Sequence, residues 1–187
     1  PGTVNSCGGY DPGVIIGPGP GPGGPEIPTD CTGGESVYDV FKRAREYVNS
    51  HYGSVSTNLV LVDCPGHRMC SSIDWAWCYS SDNIYCKADK LGGASCEYIF
   101  ELSIHELIHQ IQGWGDCNTD MREWGADYLS NNGGNYTFLT TSGCKKATQV
   151  STAGCTAEEA KKAALCWETN TTCFKNIRSQ IISRFCN

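Results

Sequence analysis

Ser95-Cys-Glu-Tyr-Ile-Phe-Glu-Leu-Ser-Ile-His105-Glu106-Leu107-Ile108-His109-Gln-Ile-Gln112 is the most strongly helical stretch of the chain. Ser95 suits an N-cap, and Gly113 and Gly115 supply the stop. Ile104, Leu107, Ile108 and Ile111 recur at the spacing of a buried helix face. Four residues along a helix turn through about 400° and rise about 6 Å. His105 and His109 therefore lie one turn apart on one face, where both imidazoles can reach a single metal ion. Glu106 projects at a neighbouring angle. The chain has four histidines and spends two of them on this pair. Imidazole nitrogen suits Zn²⁺, and a catalytic zinc keeps one position open to water. The metal lowers the pKa of that water and polarises a carbonyl, while a carboxylate beside it takes the proton as general base. That assigns His105 and His109 as ligands and Glu106 as the base.

A third protein ligand is needed, and the next helix offers it. Thr119 to Ser130 reads as helical, with Glu123 and Asp127 four apart on one face. The loop at 113–118 is short enough to fold this helix back on the first. Glu123 is the favoured ligand, with Asp116 and Asp120 as alternatives. Asp127 is placed to accept the free ring N–H of a ligand histidine. Asp116-x-Asn118-x-Asp120 opens like a calcium loop, but Met121 stands where such a loop needs glycine, so a polar loop explains it better. Cys117, between the proposed ligands, reads as a disulfide staple, because a thiolate would fill the position that water needs.

Around this centre the chain reads as α+β. Val37, Val40, Phe41, Ala44 and Val48 predict a helix over 35–49, with His51 at its end as a favourable charge on a helix C-terminus. Strands are predicted over 55–62 and 73–79, the latter with a hairpin partner at 83–87, and a short one over 136–140. The alternating Trp75 and Trp77 read as core and sheet surface. Thr156-Ala-Glu-Glu159 is a capping box opening a helix to about Trp167, and Phe174, Ile177, Ile181 and Phe185 make a last amphipathic helix. The sheet thus falls in the N-terminal half and the helices in the C-terminal half. Residues 1–30 stand apart. Gly17 to Pro25 is glycine and proline only, so 1–30 is expected as an extended arm, and 31–187 as one folded body.

Thirteen cysteines in 187 residues, with no Cys-x-x-Cys pair, exclude zinc ribbons and thioredoxin-like motifs. They imply a disulfide framework and an extracellular setting. An odd count leaves one thiol unpaired or paired with another chain. Asn135-Tyr-Thr137 and Asn170-Thr-Thr172 are glycosylation acceptors that suit the same compartment. A formal net charge of −6 without a basic block argues against nucleic acid and anionic lipid, and apolar runs such as Leu59 to Val62 are far too short to span a bilayer. The start at Pro1 reads as a processed mature form.

His105-Glu106-x-x-His109 followed by Glu123-x-x-Ala126-Asp127 resembles the zinc metallopeptidases called zincins, and within them is similar to the gluzincins. The resemblance covers about residues 95 to 130. It implies His105, His109 and Glu123 as zinc ligands, Glu106 as general base and Asp127 as their support. It further implies hydrolysis of a protein or peptide substrate at a cleft between a sheet-bearing and a helical half. A secreted, disulfide-stapled zinc peptidase is therefore expected. The alternative is an extracellular structural or adhesive glycoprotein subunit on a peptidase-like body, self-associating through the Gly/Pro arm or an unpaired cysteine.

Overall fold

The computed structural model describes residues 30–62, 77–79, 83–87, 94–113, 117–131, 137–138 and 148–185. The arm before residue 30, the turn at 63–66, His67, Asp116, Asn135, Tyr136 and the predicted strand residues 73–76, with Trp75 among them, lie outside them, and so does the side chain of Trp77. The architecture is mixed α+β, with helices predominating and three disulfides among the described residues. The chain divides into two compact units, Pro1–Glu106 and Leu107–Asn187. No helix among the described residues is long and apolar enough to cross a membrane.

In the first unit, helix α1 runs Val37–His51. Its predicted apolar face, Val37, Val40, Phe41, Ala44 and Val48, is buried throughout. Ser36 caps it, its hydroxyl accepting from the Tyr38 N–H at 3.3 Å. The helix is tied to the chain that follows by Asn49, which accepts from the Val55 N–H at 2.6 Å and donates to the Val55 carbonyl at 3.3 Å. Arg45 donates to the Thr57 carbonyl at 3.0 Å. His51 stands in the last turn of the helix, with its Nδ1 2.9 Å from the Tyr47 carbonyl and its ring stacked on Tyr47.

Strand β1 is Asn58–Val62, β2 Trp77–Tyr79 and β3 Asn83–Lys87. They form one sheet in the order β1-β3-β2. The predicted hairpin of β2 and β3 is present as an antiparallel pair, with Cys78 opposite Tyr85. β1 runs parallel to β3, with Val60 opposite Tyr85. β1 is shorter than its predicted span, beginning at residue 58. Leu59, Leu61, Ile84 and Cys86 are buried, as are the α1 face and Ile99. A tight turn precedes α1. Gly34 donates to the Cys31 carbonyl, and Gly33 and Gly34 have φ of 126° and 80°, values that L side chains avoid. Cys31 is bonded to Cys96, which fastens this turn to the start of the helix that follows.

That helix, α2, spans Cys96–Ile111, and the division between the units falls within it. In the second unit, α3 is Thr119–Ser130, α4 is Ala157–Ala164 and α5 is Thr172–Phe185. Strand β4, Thr137–Phe138, pairs antiparallel with β5, Thr148–Gln149, a strand with no sequence signal. The core gathers Met121, Trp124, Ala126 and Leu129 of α3, Ala160, Ala163 and Ala164 of α4, and Phe174, Ile177 and Ile181 of α5. Small residues let α3 and α4 approach closely. A Cβ on Gly125 would stand 2.1 Å from the Ala164 carbonyl oxygen, so only glycine fits there. The capping box of α4 is formed on both sides. This helix ends at Ala164, before the predicted Trp167, because Cys166 takes φ of 57° and its N–H turns back to the Ala163 carbonyl. Cys155–Cys173 joins the entrances of α4 and α5, and Gln180 brackets the Ser151 backbone with two hydrogen bonds.

Candidate metal centre

Helix α2 carries the centre, and its local sequence sets its bounds. Ser95 accepts from the Tyr98 N–H at 3.1 Å, the expected cap. Leu107 and Ile108 are fully buried, which fixes the rotation of the helix about its axis. His105 and Glu106 are half-buried, whereas His109 is 7% exposed. His105, His109 and Glu123 form a group whose ligand atoms all lie within 4.8 Å of one another. The Nε2 atom of His109 is 3.5 Å from Oε1 of Glu123. Two ligands bound tetrahedrally at about 2.0–2.1 Å stand about 3.3 Å apart, so this pair needs almost no adjustment to share an ion. Two imidazole nitrogens and one carboxylate oxygen are a donor set that accommodates Zn²⁺ and other borderline divalent ions. The group could hold a metal ion, and Glu106, next in sequence to His105, belongs to none of its ligand positions.

Of the three carboxylates weighed as third ligand, Glu123 is the one in the group. Asp120 is buried in the first turn of α3, and Asp116 lies outside the described residues. Asn118, the middle residue of the calcium-like pattern, serves as the N-cap of α3 and accepts from the Met121 N–H at 3.0 Å, which explains the polar loop. Cys117 is bonded to Cys166, the staple expected of it. Asn170 is exposed in the turn before α5.

Sequence reasoning passed over a polar cluster behind His109. Nδ1 of His109 lies 2.8 Å from Oε1 of Gln112. The Gln112 amide nitrogen donates to the carbonyls of Arg122 and Ala164, each at 2.8 Å. Arg122, itself buried, donates from Nη2 to the His109 carbonyl at 3.1 Å. The end of α2 is bound to the same segment after α4: Gly113 donates to the Leu165 carbonyl at 2.9 Å, and Trp167 Nε1 donates to the Ile111 carbonyl at 3.0 Å. A Cβ on Gly113 would come within 2.5 Å of the Cys166 carbonyl oxygen. Residues 164–167 thus form a shelf under the last turn of α2, and Cys117–Cys166 anchors it beside the start of α3. A signal for this was present: Gln112 stands three residues beyond His109, one helical turn on and on the same face.

Comparison with protein-family models, with curated proteins and with solved structures finds no match to this chain.

Proposed function

We propose that the chain is a secreted zinc-dependent peptidase of the zincin type. One observation carries the reading: the ligand atoms of His105, His109 and Glu123 converge to within 4.8 Å, joining the two histidines of the His-Glu-x-x-His spacing to the carboxylate favoured on the next helix. His105, His109 and Glu123 would hold the ion. When bound, Zn²⁺ supplies Lewis acidity that polarises a carbonyl and makes a neighbouring water acidic near neutral pH. Glu106 takes a proton from the attacking water and delivers it to the nitrogen of the departing amine. The nearly buried setting of His109 keeps bulk water from competing for its ring nitrogens. Disulfides are stable in oxidising compartments, so three of them in the described residues support an extracellular place of work.

Three chains test the proposal: wild type, Glu106→Gln and Glu123→Ala. Wild type is expected to carry about one zinc per chain, to cleave unfolded casein, and to stop on chelation. Glu106→Gln should retain the zinc and lose roughly 10²–10⁴-fold in rate, the range of a general base. Glu123→Ala should lose metal first and activity with it. A metal-free wild type, or Glu106→Gln with undiminished hydrolysis, would reject the reading.

A further inference from the structure

We propose that Gln112 is a positioning residue for the metal centre, holding His109 in the Nδ1–H form so that the Nε2 lone pair faces the ion. The proposal rests on the metal-binding reading above and adds to it the residue that orients one ligand.

The argument starts from the amide, whose two ends differ in what they can do. A glutamine side chain has an NH₂ end with two donors and an oxygen end that only accepts. One end of Gln112 lies 2.8 Å from each of two backbone carbonyls, of Arg122 and Ala164. Carbonyls only accept, so that end is the NH₂ group, and the network decides the orientation of the amide. The other end is then the oxygen, and it lies 2.8 Å from Nδ1 of His109. Two acceptors do not pair, so Nδ1 carries the hydrogen. A neutral imidazole has one N–H, which leaves a lone pair on Nε2. Nε2 is the atom 3.5 Å from the Glu123 carboxylate, on the side of the ligand group.

Burial makes the arrangement decisive. Gln112 is 4% exposed and His109 7%, so water competes poorly for either. Turning the amide over would set its NH₂ against the ring and its oxygen against two carbonyl oxygens, losing both backbone bonds in a buried place. A ring without such a partner divides between its two N–H forms, and only one of them presents Nε2 to a metal. The carbonyls are themselves fixed. Arg122 adjoins the ligand Glu123 and ties back to the His109 carbonyl. Ala164 begins the shelf that Cys117–Cys166 holds. Gln112 thus joins the ligand histidine, the ligand-bearing helix α3 and the shelf through one side chain.

The test has two parts. The first is a long-range ¹H–¹⁵N correlation spectrum of the metal-free wild type, recorded where the rings are neutral, with His109 assigned from its loss in His109→Gln. The proposal expects a pyrrole-like Nδ1 and a pyridine-like Nε2. The reverse pattern, or an equal mixture, overturns it. The second is zinc affinity in Gln112→Met, which keeps the length of the side chain and removes the amide. A 10–100-fold weaker affinity is expected, the usual loss when a ligand histidine's partner is removed. Affinity within about twofold of wild type would overturn the metal role. Should the variant fail to fold, the wild-type spectrum still decides. A wild type with no affinity for zinc would sink the peptidase reading, whereas the spectrum, which needs no metal, judges the Gln112–His109 bond separately.

Discussion

Gly125 is the residue on which the packing of α3 against α4 turns. Its missing side chain lets the Ala164 carbonyl come so close that a Cβ would overlap it at 2.1 Å, and backbone cannot swing away as a flexible side chain can. Gly125→Ala is expected to destabilise the fold by about 1–3 kcal/mol or more, the usual cost of overpacking. Because Ala164 also receives a hydrogen bond from Gln112, the same change should weaken zinc binding. Denaturant titration and a zinc competition assay on that variant check both; an unchanged midpoint would show that the helices can part at no cost. Single residues were also where the sequence was least legible. The spacing of His105 and His109 follows from helix periodicity, so it could be read along the chain, and Glu123 was found as a carboxylate on the next predicted helix. The bonds of Gln112 to Arg122 and Ala164 depend on residues 10 and 52 positions away, and no local rule connects them.

At the scale of elements, the helices with strong local chemistry were legible nearly to the residue. Thr119–Ser130 was read in full, though its Asn118 cap was not, and α4 began where Thr156 and Glu159 said it should. Its end was misjudged because the stop is a left-handed cysteine, not a glycine, and the disulfide that holds Cys166 is a tertiary fact. β5 is two residues long and paired only with β4, too short to leave an alternating pattern. The capping box itself invites a pH experiment. The Thr156 backbone N–H and then its hydroxyl hold the Glu159 carboxyl below its ordinary range. A depressed folded pKa contributes stability that is present above the unfolded value and is lost as pH falls through the folded one. The stability gap between wild type and Glu159→Gln should therefore be widest near neutrality and close on acidification across about pH 6 to 3. Thermal unfolding of the two chains in parallel would show it, and a gap independent of pH would refute it. Thr156→Ala, which removes the cap altogether, is expected to cost about 1 kcal/mol.

At the scale of the molecule, the three disulfides among the described residues close stretches of 65, 49 and 18 residues. Loop-closure entropy assigns them about 4, 4 and 3 kcal/mol in that order. Replacing each pair by alanine should accordingly harm stability least at Cys155–Cys173. Of these three, only the loss of Cys117–Cys166 should also weaken zinc binding, since that bond anchors the shelf beneath His109. Comparing unfolding midpoints with zinc affinities across the three double variants separates the two effects, and an equal fall in affinity for all three would refute the local role. The cysteine count made a disulfide framework legible, but the pairings were not, because sequence distance does not record which loops meet. The same bonds bear on how the protein matures. A nascent chain with thirteen reduced cysteines is full of soft sulfur donors, and thiolates capture zinc readily. Each bridge that closes withdraws two of those rivals, so on the proposed zinc reading oxidation favours two rings and a carboxylate as the holders of the ion. Zinc added to the reduced chain is then expected to be caught by thiolates, whereas zinc added after oxidation meets far fewer of them, and the refolded yield under the two orders of addition checks this.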